Sequence, residues 1–155
     1  MPEISFRVAT PRDLDALRRF QQGVVSAERP FDCTLEAGEI QYYDLESMLV
    51  AEHVRFIVAE QGSDLVGCGF ARIDNAKPYL AHARQAYLGL MYVDPNYRGR
   101  SINGAIVELL KQWCRENGVM ELRLEVYEGN AIAIAAYEKA GFSKHITEMR
   151  VRLDV

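Results

Sequence analysis

The chain has 155 residues and a mass of 17.6 kDa, the size of one domain. Hydrophobic residues make up 49% and charged residues 26%, a balance that excludes a disordered or collagen-like chain. The net charge of −4, with no basic stripe, argues against nucleic acid or an anionic membrane surface as a partner.

No apolar run reaches the ~18 residues of a membrane span, and residues 1–10 lack the apolar stretch of a signal peptide. Cys33, Cys68 and Cys114 are odd in number, scattered and without zinc spacing. They are expected to be reduced thiols in a cytoplasmic protein with no metal. No repeat, linker or low-complexity tract divides the chain, so residues 1–155 are expected to form a single domain.

In chain order, residues 4–9 are expected to form a strand. Thr10, Pro11 and Asp13 supply a cap, a first-turn proline and a first-turn acid. Leu14, Leu17, Phe20 and Val24 then recur at helical spacing. Residues 25–34 are read as loop and 35–52 as a poorly periodic helix. Strands at 55–60 and 65–73 flank Gln61-Gly62-Ser63-Asp64 as a hairpin. A loop at 74–84 leads to 86–93, AYLGLMYV, which is apolar enough for a central strand buried on both faces.

Ile102, Ile106, Leu109, Leu110 and Trp113 mark the next helix, ended by Asn117-Gly118. Residues 121–127 alternate as a strand, Asn130 caps a short helix ended by Gly141, and 146–153 alternate as a last strand. The order predicts an α+β domain built on a mixed sheet.

The chemistry concentrates where the apolar strand ends, at Arg98-Gly99-Arg100-Ser101-Ile102-Asn103-Gly104. A strand runs into a glycine-bearing turn with two arginines, and a helix opens at once. The first helical turn has amides without intrahelical partners and lies at the positive end of the macrodipole. Both favour a phosphate. The spacing is neither a Walker A loop nor a Rossmann fingerprint.

A second cluster, Asn130, Ala135, Tyr137, Gly141 and Phe142, lies in NAIAIAAYEKAGF, one helix and one strand later. With both motifs in this order the chain resembles the GCN5-related N-acetyltransferase (GNAT) superfamily over essentially its whole length. Ser101 stands where that family usually has Gly, and Asn103 where it has Gly or Ala.

The resemblance implies a three-layer fold with a mixed, mostly antiparallel sheet flanked by helices, and acetyl-CoA as cosubstrate. It implies that backbone amides from Arg98 to Gly104 hold the diphosphate, with Arg98 or Arg100 near its phosphates. It places the pantetheine arm along Leu90, Met91, Tyr92 and Val93, Asn130 near the cofactor, and Tyr137 beside the thioester sulfur. A phenol there can donate a proton or a hydrogen bond to the leaving thiolate.

Family members often place a glutamate on the central strand, but residues 85–93 contain no acid. Glu125 on the neighbouring strand is the first substitute as base, ahead of Glu60, His82 and Glu128. Glu125 could instead pair with Arg123 or Arg152. Between Glu28 and Glu52 lie seven acids against Arg29 alone. This segment falls where relatives form part of the acceptor site, so a small cationic amine is the expected acceptor. The expected activity is direct N-acetyl transfer. The alternatives are a non-catalytic acyl-CoA sensor, a protein N-acetyltransferase or an interaction domain without a cofactor. The length of the last strand favours a homodimer.

Overall fold

In the computed structural model, which describes residues 3–154, five strands form one sheet in the order β1-β2-β3-β4-β5. They are β1 (Ile4–Val8), β2 (Val54–Gln61), β3 (Asp64–Asn75), β4 (Arg84–Val93) and β5 (Leu122–Arg123). The first four pair antiparallel, and β5 joins β4 in parallel. The helices are α1 (Leu14–Glu28), α2 (Leu45–Met48), α3 (Ile102–Glu116) and α4 (Ala131–Lys139). This is the α+β architecture expected from the sequence.

Strand periodicity divides the core into two faces. Phe56 and Val58 of β2 pack with Leu17, Phe20 and Leu45 under α1 and α2. Ile57 and Ala59 turn the other way, to Ile106, Leu110 and Trp113 of α3. On β4 the alternation reverses partway. Ala86 and Leu88 face α3, whereas Leu90 faces α1. The cause is a bulge: Cys68 pairs with Tyr92 but Phe70 pairs with Gly89, so Leu90 and Met91 together oppose Gly69. Leu90 takes a φ of 48° there, a conformation a leucine adopts only when its surroundings impose it. Its carbonyl accepts from the buried Cys68 thiol at 3.3 Å.

The start of α1 follows the sequence reading, through a 3-10 turn at Pro11–Asp13. The Asp13 carboxylate accepts from the Thr10 amide at 2.7 Å and from Arg7 through two bonds of 2.8 and 2.9 Å. The expected loop at 25–34 is corrected: α1 continues to Glu28, and a 3-10 turn spans Arg29–Phe31.

The expected helix over 35–52 is also corrected, because only Leu45–Met48 is helical. The rest is an irregular strap held by two glutamines of α1. Gln21, 1% exposed, accepts from the amides of Tyr42 and Tyr43 at 3.0 and 3.1 Å. Gln22 donates to the Ile40 carbonyl at 2.8 Å. These side chains satisfy backbone groups that a helix would have paired internally.

Two strand expectations fail at the far end of the sheet. Of 121–127 only Leu122–Arg123 pairs, and 146–153 contribute no strand. Both depend on a long-range partner that alternation alone does not supply. The helix at the second motif forms as expected: the Asn130 side chain accepts from the Ala133 amide at 3.2 Å, and Gly141 takes a φ of 102°.

Candidate active site

The site opens where β4 and β5 part. They pair only at Ala86 with Leu122 and Tyr87 with Arg123. Beyond Tyr87, β4 runs on through Leu88 to Val93 with β3 on one side and, among the described residues, no strand on the other. The bulge at Leu90 gives this part of β4 its changed direction of side chains. Unpaired strand edges offer donors and acceptors to any extended ligand. Leu90 is buried in the core and Met91 packs half-buried against it, so Leu90 offers a ligand its backbone alone. Tyr92 stacks on Phe20 with centroids 4.9 Å apart.

At the end of β4, Asp94 caps a 3-10 turn by accepting from the Asn96 amide at 2.8 Å. Gly99 then has a φ of 79° and Ser101 a φ of 58°, so the chain curls through two left-handed residues before α3. Among the described residues, no protein group accepts from the amides of Arg98 to Gly104; the first bonded amide is that of Ala105, to the Ser101 carbonyl at 3.1 Å. Successive free amides at a helix start form a concave anion site. Arg98 and Arg100 are exposed, and neither joins an ion pair among the described residues. Arg100 rests over the Tyr97 ring at 5.0 Å. The Ile102 side chain is 2% exposed in the core, so that residue offers its amide alone. A Cβ added at Gly104 would meet nothing within 4 Å, so the approach at that position is open.

The other wall carries Tyr137, half-buried on α4 with its ring edge-on to Phe142 at 5.9 Å. Burial pushes its hydroxyl up to about 12, with Glu28 and Tyr87 adding to the rise. Its hydroxyl has no hydrogen-bond partner among the described residues. Asn130 uses its carbonyl oxygen for the cap, leaving its amide nitrogen for a ligand.

Glu125 is exposed, and neither expected arginine pairs with it. Arg123 bonds Glu121 at 3.1 Å and Arg152 bonds Asp154 at 2.5 Å. Glu125 lies close enough to Tyr87 to raise that phenol, whose principal perturbation is burial. The weaker base candidates are placed elsewhere or stay in solvent. Glu60 pairs with Arg7 at 3.3 Å, His82 meets Gln85 at 2.8 Å, and Glu128 is exposed.

The structure adds residues that the sequence reading did not single out. Burial raises the Glu28 carboxyl, with Asp32 contributing, while the neighbouring Tyr42 hydroxyl opposes the shift. Glu28 also acts on Tyr43, Tyr87, Tyr127 and Tyr137. The Tyr42 hydroxyl is buried beside Glu28, and burial, with Glu28 adding to it, pushes that phenol up to about 12; the Tyr43 and Tyr87 hydroxyls stand 3.4 Å apart. Gly89 makes this packing possible: a Cβ there would lie 2.6 Å from Phe70 and 2.8 Å from the Tyr43 hydroxyl. The available signal was the Tyr42-Tyr43 pair inside an acidic segment. Among the described residues no group of His, Cys, Asp and Glu could hold a metal ion. No helix of the described residues is long and apolar enough to cross a membrane.

Comparison with known proteins agrees with this geometry. An IAA acetyltransferase of Azospirillum brasilense is 34% identical over 100 residues, covering 64% of this chain and 61% of its own length. A bovine thialysine N-epsilon-acetyltransferase is 30% identical over 115 residues, covering 72% of this chain and 61% of its own. The chain spans between about half and three fifths of the length of the curated relatives it matches first. A Clostridium acetobutylicum structure, a predicted acetyltransferase with acetyl-CoA, superposes with a TM-score of 0.74. It is 16% identical, and the match covers 97% of this chain and 96% of that one. The family model for the Acetyltransferase (GNAT) family matches residues 21–142. A bulged fourth strand, a parted fifth and a helix opening on free amides are thus the features of a chain that belongs to the GNAT acetyltransferase family.

Proposed function

We propose that this chain is an acetyl-CoA-dependent N-acetyltransferase that acts directly on a primary amine of a small, cationic acceptor. The observation that carries the reading is the alignment of two unpaired backbone tracts, the free edge of β4 beyond Tyr87 and the amides of Arg98 to Gly104. An anionic head with an extended amide-bearing arm fits both. The arm would take up main-chain bonds along Leu90 to Val93, as an added strand does. The diphosphate would meet the amides and the free arginines, each charge-assisted bond contributing ~1.5–3 kcal/mol.

Acetyl-CoA supplies a thioester whose carbonyl carbon accepts the amine as the C–S bond breaks. Tyr137 would then face a leaving thiolate whose ordinary pKa is ~8.5. With its own pKa pushed up to about 12, the phenol stays protonated across the working range. Full proton transfer to sulfur is then uphill, so Tyr137 acts mainly by donating a hydrogen bond to the developing charge. The amine must lose a proton, and Glu125, exposed to solvent and within electrostatic range of Tyr87, would take it through water. Glu28 is suited to a different task, because a half-buried carboxylate among tyrosines attracts an ammonium group. Similarity to an enzyme named for an N-epsilon amine supports an amine acceptor. No metal takes part in this reading.

The test is thiol release with acetyl-CoA and a panel of cationic amines. Turnover with at least one amine is expected, and Tyr137→Phe should lower kcat by roughly 10²–10³. Stabilisation by acetyl-CoA without turnover on any amine would instead identify a sensor.

A further inference from the structure

The cleft between β4 and β5 narrows to a point. The two strands are joined at Tyr87 and Arg123, and the turn with the free amides lies at the opposite end of β4. A coenzyme A arm that enters beside Val93 therefore runs back along β4 toward Tyr87. From phosphate oxygen to sulfur it has roughly twelve bonds, about the length of four extended residues. The sulfur then comes level with Gly89. Tyr137, the phenol assigned to that sulfur, lies within electrostatic reach of Tyr87.

The space beyond Gly89 is closed on three sides. Ahead, Tyr87 pairs with Arg123 and the sheet is continuous. On the α3 face, Leu88 is 2% exposed and packs in the core. On the α1 face stand Phe70 and Tyr43, so close that even a Cβ on Gly89 would collide with both. Two residues of strand span ~7 Å, and carbons in contact need ~4 Å of that, which leaves ~3 Å for an acyl group. The two carbons of an acetyl group fill it.

The wall is braced. The Tyr43 amide donates to Gln21, and its ring stands edge-on to Phe70 with centroids 4.9 Å apart. Its hydroxyl meets that of Tyr87. The Tyr87 ring lies under the Arg72 guanidinium at 5.2 Å, and Arg72 pairs with Asp74 at 2.9 Å.

We propose that Tyr43 and Tyr87 form the end wall of the acyl pocket, so that the chain accepts acetyl-CoA, with propionyl-CoA at its limit, and rejects longer acyl-CoA thioesters. This assignment rests on the acetyl-CoA reading and adds to it what sets the acyl length. A longer chain would press methylenes against two phenol hydroxyls, and each methylene that does not fit costs about tenfold or more.

Calorimetric titration with coenzyme A and its acetyl, propionyl, butyryl and hexanoyl thioesters tests the wall without any amine. Butyryl-CoA and hexanoyl-CoA should bind wild type at least about tenfold more weakly than acetyl-CoA. Tyr43→Ala removes the wall and should bring hexanoyl-CoA within about threefold of acetyl-CoA, whereas Tyr43→Phe keeps the ring and should keep the discrimination. Where Tyr43→Ala does not melt cooperatively, Tyr43→Leu keeps an apolar contact on Phe70 and should admit butyryl-CoA. A wild type that binds hexanoyl-CoA as tightly as acetyl-CoA would overturn this proposal alone. So would a folded Tyr43→Ala that still rejects the longer chains. Failure of every member of the series to bind would overturn the acetyl-CoA reading together with it.

Discussion

The Tyr127 hydroxyl donates to the Asp32 carboxylate at 2.6 Å, joining residues 95 positions apart. Tyr127 follows β5 and Asp32 follows α1, so this bond bridges the strap on one side of the cleft to the parted strand on the other. Phe31 stacks beside it on the Tyr127 ring, with centroids 6.4 Å apart. The Thr34 side chain and amide also donate to Asp32 and hold its pKa down to about 2, with Tyr127 adding to the effect. A carboxylate with a lowered pKa adds stability that is present above its unfolded value and lost as pH falls through the folded one. The bridge should therefore persist from neutral pH down to about 2. In Tyr127→Phe, NMR titration should show the Asp32 pKa moving up toward ~3.9, and amides of 29–34 should exchange faster. An unmoved Asp32 would show that the bond does not hold the two walls together.

Glu28, the last residue of α1, lies among the tyrosines of the cleft and raises Tyr42, Tyr43, Tyr87, Tyr127 and Tyr137. An ammonium beside it favours its charged form, so the acceptor KM should rise as pH falls through the raised Glu28 pKa, above the ~4.3 of a free glutamate. Glu28→Gln should raise the acceptor KM about tenfold or more at neutral pH and flatten that acidic limb. The KM for acetyl-CoA should stay within a factor of about two. Stability carries the opposite sign from Asp32. A raised carboxyl weakens the fold as pH climbs from the unfolded pKa through the folded one, so Glu28→Gln should gain stability over wild type across that window. A melt difference independent of pH would contradict this assignment.

Gln21 fixes the strap from beneath, with one buried carbonyl oxygen serving two amides. Gln21→Leu would leave the Tyr42 and Tyr43 amides without that acceptor, at a cost of about 2 kcal/mol. Denaturant unfolding should show this loss, and the acceptor KM should worsen because both tyrosines shift. An equally stable variant would mean that other contacts order the strap.

Arg7 and Asp13 form a charged pair at the start of α1 that also caps a turn. The Arg7 guanidinium holds the Asp13 carboxyl below its ordinary range. Asp13→Asn should cost about 2 kcal/mol at neutral pH, with the difference from wild type shrinking as pH falls below the ordinary aspartate value. Chemical unfolding at two pH values measures it.

The legible parts of this protein are those whose signal is local. Thr10-Pro11, Asn130 and the Gly-bearing turn before Ile102 announce helix starts through their own backbone chemistry, and the apolar run at β4 announces a buried strand. The strap was misread as helix because its conformation is set by Gln21 and Gln22, about twenty residues earlier in the chain. The φ of 48° at Leu90 leaves no mark in a leucine-rich strand, although it turns the rest of β4 and opens the cleft. Glu28 was hidden for a similar reason: its neighbours are tyrosines brought in from four other segments. Residues 121–127 and 146–153 carry strand alternation, but pairing needs an edge that periodicity does not specify.

In the proposed enzyme the free amides at the start of α3 and the unpaired edge of β4 together receive one ligand. A crystal structure of the chain with coenzyme A tests it most directly. Diphosphate oxygens are expected within ~3 Å of amides between Gly99 and Gly104, with the pantetheine arm hydrogen-bonded to β4 beyond Tyr87. Coenzyme A bound elsewhere, or side chains filling that turn so that no ligand enters, would contradict it.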